Sequence, residues 1–550
     1  MKNFSLLLIA SIFLINCNGK KQSTENTKPN RPNIILILSD DMGYSDLGCY
    51  GGEVETPNLD AKAANGLRFT QFYNGARCCP TRASLMTGCY PHQTGIGHMT
   101  NTPNDFTQHD LGIPEYRGFL NKNCVTIGEV LKDAGYTTLM TGKWHLGISD
   151  QSKWPLQRGF DKFYGLVPGA SNFFKPTYPR GITYMNDTIS VTDEDYYTTD
   201  AFTEHAIEFI DEAKQENSEK PFFLYLAYTS PHWPLNAPQE VVEKYKGKYM
   251  EGWTKLRETR YARMKKMGIV DQEWDLSPQD WREWDSLSQE KKQEMDLRRA
   301  IYSAQVDRMD QNIGKLIDHL KQQNILENTL IVFLNDNGAC AEGGELGGGP
   351  AEQLETKEGY FLSYGGAWAN ASNTPYREYK HWVHEGGIGT PFIVHWPNVI
   401  PQQNVGQLIS EYGFLPDLMA TFVDVAQTTY PKEYKGNKIV PTSGKSLVPI
   451  FEGNIKPVHT EPIFWEHEGN KAVRLGQYKL VSKWKQESET RWELYDMEAD
   501  RSEMHNLAET LPEKVTEMAA MYDSWAMENH VLPWNQIQKL YEQKRKNKQN

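Results

Sequence analysis

The sequence predicts an α/β sandwich, a largely buried sheet covered by helices, followed by a smaller antiparallel C-terminal unit. Three observations predict it: apolar runs of strand length recur as far as Val394, one long stretch between them has helical spacing, and the texture changes after Pro462. At 550 residues the chain exceeds what one hydrophobic core supports, so more than one unit is expected. Apolar residues at 39% and charged residues at 23% are those of an ordinary globular protein. The net charge of −13 argues against a nucleic-acid partner, and an anionic substrate requires a local basic pocket.

In chain order, the first element is an export signal. Met1-Lys2-Asn3 is a short basic start, and Phe4 to Ile15 is apolar but too short to span a bilayer comfortably. Leu14-Ile15-Asn16-Cys17, followed by the polar stretch Asn18 to Asn30, resembles a bacterial lipoprotein signal with Cys17 as the acylated first mature residue. Asn16 stands where that signal usually has a small residue, so secretion without the lipid is the alternative. The strands follow: Ile34 to Leu38, Phe69 to Tyr73, Thr137 to Met140, Phe222 to Tyr228, Leu330 to Leu334 and Phe392 to Val394. Their continuous apolar character fits strands buried on both faces. Glu240 to Gln293, dense in Lys, Arg, Glu and Trp, reads as a solvated helical excursion. Leu297, Ile301, Ala304, Ile313, Leu316 and Leu320 mark one long amphipathic surface helix. Ile463 to Trp465, Ala472 to Arg474, Tyr478 to Ser482 and Trp492 to Tyr495 are short strands with Gly and polar turns, and Lys544 to Asn550 reads as a frayed basic tail.

The chemistry lies just after the apolar runs. Asp40 and Asp41 follow the first, Cys78 and Arg82 the second, Lys143 and His145 the third, His232 the fourth, and Asp336 and Asn337 the fifth. Ligands of open α/β sheets bind outside the carboxyl ends of the strands, which brings these scattered groups to one crevice. Hard oxygen donors without clustered His or Cys favour Ca²⁺ or Mg²⁺ over zinc, and Arg, Lys and His around them suit a tetrahedral oxyanion. Taken singly each group is ordinary: Asp-Asp caps a helix, and Asp-Asn-Gly makes a turn. Their joint order carries the argument. The seven cysteines lack the spacing of a zinc module or a disulfide scaffold.

Cys78-Cys79-Pro80-Thr81-Arg82, continuing to Thr87-Gly88, resembles the hallmark of the formylglycine-dependent sulfatases, Cys-x-Pro-Ser/Thr-Arg. A second signature of that family ends here as Gly142-Lys143-Trp144-His145. Further matches are Arg31-Pro32-Asn33-Ile34, Asp336-Asn337-Gly338, Glu385-Gly386-Gly387 and Trp492-Glu493-Leu494-Tyr495-Asp496. Position relative to Pro80 and Arg82 selects Cys78 over Cys79, and Arg77 stands where the family often has a small or apolar residue. A Cys at a helix N-terminus among cations reads chemically as a reactive thiolate. The resemblance implies instead that Cys78 is oxidised to formylglycine, whose hydrate attacks sulfur and then expels sulfate.

The resemblance further implies an alkaline-phosphatase-like fold with a large mixed, mostly parallel sheet. It implies one Ca²⁺ held by Asp40, Asp41, Asp336 and Asn337. Arg82 and Lys143 would hold the formylglycine, His145 would take its second proton, and His232 and Lys380 would contact the sulfate and the leaving oxygen. His98, His384, His467 and Trp233 are candidates for a substrate rim, each as readily a packing residue. The segment Glu466 to Asn470 could reach over the crevice. The organisation expected is a signal over 1–16, a linker over 17–30, the catalytic domain over 31–455, the small domain over 456–535 and a tail over 536–550. The activity implied is hydrolysis of sulfate esters on a sulfated polysaccharide or oligosaccharide, for example algal ulvan, at the periplasm or cell surface after action of a formylglycine-generating or sulfatase-maturing enzyme. Phosphate or phosphonate monoester hydrolysis on the same fold, or glycan binding by an unmodified lipoprotein, are the alternatives.

Overall fold

The first apolar run forms β1 (Asn33–Ser39), buried along its whole length at the middle of a large sheet. A computed structural model describes residues 31–100, 109–486 and 491–549; the expected signal, the linker and Cys17 lie outside the described residues. The other strands of this sheet are β2 (Leu67–Tyr73), β3 (Thr137–Lys143), β4 (Lys162–Leu166), β5 (Ile182–Tyr184), β6 (Asp187–Ile189), β7 (Phe222–Ala227), β8 (Thr329–Asn335), β9 (Gly389–His395), β10 (Leu408–Ile409) and β11 (Gly413–Phe414). Their order is β10-β2-β9-β8-β1-β7-β3-β4-β5-β6, with β11 also on β2. Pairing is parallel from β8 through β1, β7 and β3 to β4, whereas β9 runs antiparallel to both β8 and β2. The expected mixed, mostly parallel sheet is therefore present.

Helices cover both faces because alternate residues of β1 point to different cores. Ile35 and Ile37 join Phe202, Phe209, Ile313 and Leu316 from the helices Thr198–Glu216 and Gln289–Gln322. Ile34, Leu36 and Leu38 join Ala83, Leu85, Leu131 and Leu418 on the opposite side. Burial on both faces is what a continuous apolar strand requires.

Two readings of the charged segments are corrected. The stretch Glu240 to Gln293 is not a solvated excursion: Trp253, Trp274 and Trp284 are buried, and Trp253 meets Trp284 edge to face at 4.8 Å. Its Arg260 is fully buried and bound to Asp46 at 2.8 Å and Glu53 at 2.7 Å, so the stretch is anchored inward by the tryptophans and this pair while much of its Lys and Glu faces solvent. The tail is not frayed either, since Trp534–Gln549 is a helix whose Tyr541 hydroxyl bonds the His98 ring and whose Lys544 ammonium donates to the Asp110 carbonyl.

A short hairpin, β12 (Glu433–Tyr434) with β13 (Asn437–Lys438), precedes the C-terminal sheet. That sheet is an antiparallel meander of β14 (Ile463–His467), β15 (Asn470–Leu475), β16 (Tyr478–Ser482) and β17 (Glu493–Asp496). Alternation again divides its faces. Ile463, Trp465, Ala472 and Val481 pack on Tyr73, Ile388 and Phe414 of the large sheet's surroundings, while Val473, Leu480 and Leu494 pack beneath Met518, Tyr522 and Trp525 of the helix Pro512–Glu528.

Candidate active site

Parallel strands β1, β3, β7 and β8 end at one edge and deliver Asp40 and Asp41, Lys143 and His145, His232, and Asp336 and Asn337 there. Because β9 runs the other way, Lys380, which precedes it, arrives at the same edge. Cys78 begins the helix Cys78–Thr87 that follows β2. Close backbone approach explains two of the glycine-bearing motifs: a Cβ on Gly338 would lie 1.9 Å from the carbonyl oxygen of Gly386. Asp41, Ala76 and His145 hold positive φ angles of 65°, 64° and 58°, conformations that side-chain-bearing residues adopt only when the surroundings impose them.

The groups interlock. Lys143 Nζ donates to Asp40 Oδ2 at 2.6 Å, and Arg82 Nη2 donates to Asp336 Oδ2 at 2.9 Å while lying 3.4 Å from Asp40 Oδ2. Lys380 Nζ donates to Asp41 Oδ2 at 2.9 Å, with His232 Nε2 3.3 Å from the same oxygen. Asn337 Nδ2 donates to Asp41 Oδ1 at 2.7 Å. Cys78 Sγ is 3.9 Å from Asp40 Oδ1. Asp40, Asp336, Asn337, Arg82 and Cys78 are all fully buried.

Burial dominates the electrostatics. It pushes the Asp40 carboxyl well above the usual range, aided by Asp336 and opposed by Lys143 and Arg82. Asp41 is buried too, yet His232, Lys380 and the Asn337 amide outweigh that and hold it low. Burial lowers His232 to about 3 against the pull of Asp41, and burial with the Lys143 charge keeps His145 neutral. Lys380 stays an ammonium because Asp41 overcomes its desolvation. Burial pushes the Cys78 thiol up, helped by Asp336 and Asp40 and opposed by Lys143 and Lys380, so an unconverted Cys78 would stay a thiol instead of the thiolate that its place among cations suggests.

Three crowded carboxylates and an amide are a hard-oxygen donor set, and Asn337 Oδ1 is buried with no hydrogen-bond partner. Such an acceptor beside Asp40, Asp41 and Asp336 fits a divalent oxygen-liganded cation, with Ca²⁺ or Mg²⁺ the matching class. Asp40, Asp41, Cys78 and His232 each bring a ligand atom within 4.8 Å of the others.

His145 sits beside this network. Its Nε2 bonds the Thr100 carbonyl at 2.7 Å, and Nδ1 is left buried and unpartnered. Trp233 packs on His232 with ring centroids 4.6 Å apart. His384 faces Glu493 at 3.4 Å, His98 is covered by Tyr541, and His467 is fully buried beside His381, so these three are not an open rim. Sequence reasoning missed Glu342. Its carboxylate bonds Arg77 Nη2 and Trp233 Nε1, each at 2.7 Å, and lies 3.7 Å from Lys380 Nζ. Cys340, 3.8 Å from Lys380 Nζ, was likewise given no role.

The sulfatase family model matches residues 32–428, and the model described as N-sulphoglucosamine sulphohydrolase, C-terminal, matches 377–525. An uncharacterised sulfatase of Schizosaccharomyces pombe is 34% identical over 90% of this chain and 93% of its own length. An arylsulfatase of Klebsiella aerogenes is 34% identical over 76% of this chain and 92% of its own. The crystal structure of Ps i-CgsB in complex with k-i-k-neocarrahexaose superposes with a TM-score of 0.66 at 27% identity, covering 91% of this chain and 93% of that one. Fold, motif order and these likenesses agree that the chain belongs to the sulfatase family and is a sulfuric ester hydrolase.

Proposed function

We propose that the chain desulfates a sulfated polysaccharide or oligosaccharide, using a formylglycine made from Cys78 and one Ca²⁺ held by Asp40, Asp41, Asp336 and Asn337. The observation that carries this is the seat of Cys78, a buried residue between hard-oxygen donors and the cations Lys143, Arg82 and Lys380. Formylglycine supplies a hydrated aldehyde as nucleophile toward sulfur. The cation supplies charge neutralisation where a sulfate oxygen binds.

The chain's own residues do the rest. Lys143 and Arg82 hold Asp40 and Asp336 in place and offset their charge. His145, its Nε2 proton committed to Thr100, presents the Nδ1 lone pair as the base. Lys380 brings the ammonium and His232 the Nε2 that face the leaving oxygen; the His232 Nδ1 is fixed by the Trp233 carbonyl at 2.6 Å.

A carbohydrate substrate is supported by the carrageenan-type hexaose bound in the Ps i-CgsB complex. It is also supported by a cleft of about 460 Å³ lined in part by Arg77, the neighbour of Cys78, which shares Gln486, Trp534, Gln538 and Glu542 with a second of about 640 Å³ bearing Lys471, Lys483 and Lys539. Trp484 and Trp534 offer stacking faces and Lys471, Lys483 and Lys539 offer cations for a sulfated sugar, in a groove that Glu466, Asp523 and Glu542 also line. Ulvan is one such substrate. Export with lipidation at Cys17 is part of the proposal and rests on the first thirty residues of the sequence.

The test pairs the mass of the peptide containing Cys78 with sulfate release from defined sulfated oligosaccharides. A peptide lighter than the Cys form together with released sulfate is the expected result. An intact thiol with every ester untouched sinks the proposal.

A further inference from the structure

The turn between β14 and β15 carries His467 and Glu468 and packs against His381, one residue past Lys380. Both central residues of this two-residue turn take positive φ, 51° at Glu468 and 88° at Gly469, so the hairpin aims the Glu468 carboxylate at the two rings. His381 is tied to the nucleophile loop, its amide donating to the Ala76 carbonyl at 2.8 Å. One ligand atom from each of His381, His467 and Glu468 lies within 4.8 Å of the others. Glu468 Oε2 is 3.5 Å from His381 Nδ1, and Glu468 Oε1 is 3.8 Å from His467 Nε2. Tetrahedral coordination with bonds of about 2.1 Å places neighbouring ligand atoms ~3.4 Å apart, so both spacings are near what a metal requires.

An independent observation points to a ligand. His467 is fully buried, yet neither of its ring nitrogens has a hydrogen-bond partner. Native interiors rarely leave an imidazole unsatisfied at both nitrogens. Simple hydrogen bonding within the cluster does not account for it, because 3.8 Å is too long for one. Glu468 and Arg77 line the 460 Å³ cleft, which gives an ion a route in.

We propose that His381, His467 and Glu468 form a second metal site, for a borderline divalent ion of which Zn²⁺ is the first candidate. Two imidazoles and one carboxylate suit zinc, unlike the oxygen set around Asp41, and the two sites share no residue. Binding through His381 Nδ1 would leave the proton on Nε2 and forgo the long 3.4 Å contact from the Asn470 amide, which keeps its bond to the His467 carbonyl at 2.9 Å. The ion would fasten the C-terminal hairpin to the segment carrying Lys380, a structural clamp separate from sulfate chemistry.

The test titrates full-length protein, stripped of metal and then saturated with Ca²⁺, with Zn²⁺ alone. One Zn²⁺ per chain is expected, with affinity falling about 100-fold or more in both His467→Gln and Glu468→Gln. Co²⁺ should give visible d–d absorption without a sulfur charge-transfer band, and both variants should lose it. No zinc bound by the wild type, unchanged affinity in the variants, or a sulfur band from Cys78 or Cys340 would overturn the proposal. Should His467→Gln fail to fold, Glu468→Gln at its partly exposed position carries the comparison.

Discussion

His145 is a neutral ring, and it and His232 each have one nitrogen spent on a backbone carbonyl, so His232 carries a proton on Nε2 only as the imidazolium. What remains free defines the proposed roles: Nε2 of His232, beside Asp41, would donate to the leaving oxygen once protonated, and Nδ1 of His145 would be the open base. A general acid contributes ~10²–10⁴-fold, so His232→Ala should depress turnover of alkyl sulfates far more than that of activated aryl sulfates. Equal losses across a leaving-group series would remove His232 from that role. The His145 ring is held from behind by Gly169, where an added Cβ would lie 2.7 Å from ring carbon Cε1. Since the Thr100 bond prevents retreat, Gly169→Ala should lower kcat by about 10-fold or more while KM changes little. Unchanged kcat would show that the ring position is not needed. Asp40 and Asp41 were legible because an apolar run of strand length ends on them. Lys380 was legible only through resemblance, since it precedes an antiparallel strand instead of following a parallel one. Glu342 stayed hidden because a Glu in a Gly-rich loop reads as solvated, and only the fold brings it to Arg77 and Trp233.

At the scale of elements, the C-terminal sheet is seated by buried charge as well as by apolar packing. Lys479 of β16 donates to Glu385 and to Glu503, each at 2.8 Å, and Arg501 binds the other oxygen of Glu385 at 2.7 Å. Burial would raise Glu385, but Lys479 and Arg501 hold it near 2. Lys479→Met should therefore destabilise by ~3–5 kcal/mol, because two carboxylates lose their shared cation. Denaturant midpoints of the variant measure this, and a loss below about 1 kcal/mol would mean the seam is apolar in its energetics. The strands of this meander were legible from hairpin spacing. The helix Trp534–Gln549 was not, because its sequence is polar and its anchors, Ile537 and the Tyr541 hydroxyl on His98, are few and widely spaced.

For the whole molecule, buried neutral histidines set the response to acid. Burial lowers His98 and His395 to about 3, and holds His467 well below its ordinary value, from ~6.5 in an unfolded chain. Between those values the unfolded state binds more protons, so stability falls as pH falls, by ~1.4 kcal/mol per unit for each ring. His232, His145 and His381 are lowered in the same way, whereas Asp310, pushed up to about 6 by burial, and Asp40, also raised, work the other way below pH ~6. Urea midpoints in zinc-free buffer should decline from pH 6.5 downward, ahead of the carboxylate range. A profile flat between pH 7 and 5 would contradict this.

The position of β1 has a consequence for biosynthesis. Ile34 finds its first neighbour at Phe223, about 190 positions downstream, and its second only at Leu330. At ribosomal speeds of ~5–20 residues per second, the nascent Ile-Ile-Leu-Ile-Leu stretch waits roughly 10–40 s with both edges uncommitted. A sticky, charge-free segment of that kind needs a chaperone's shelter until its companions emerge.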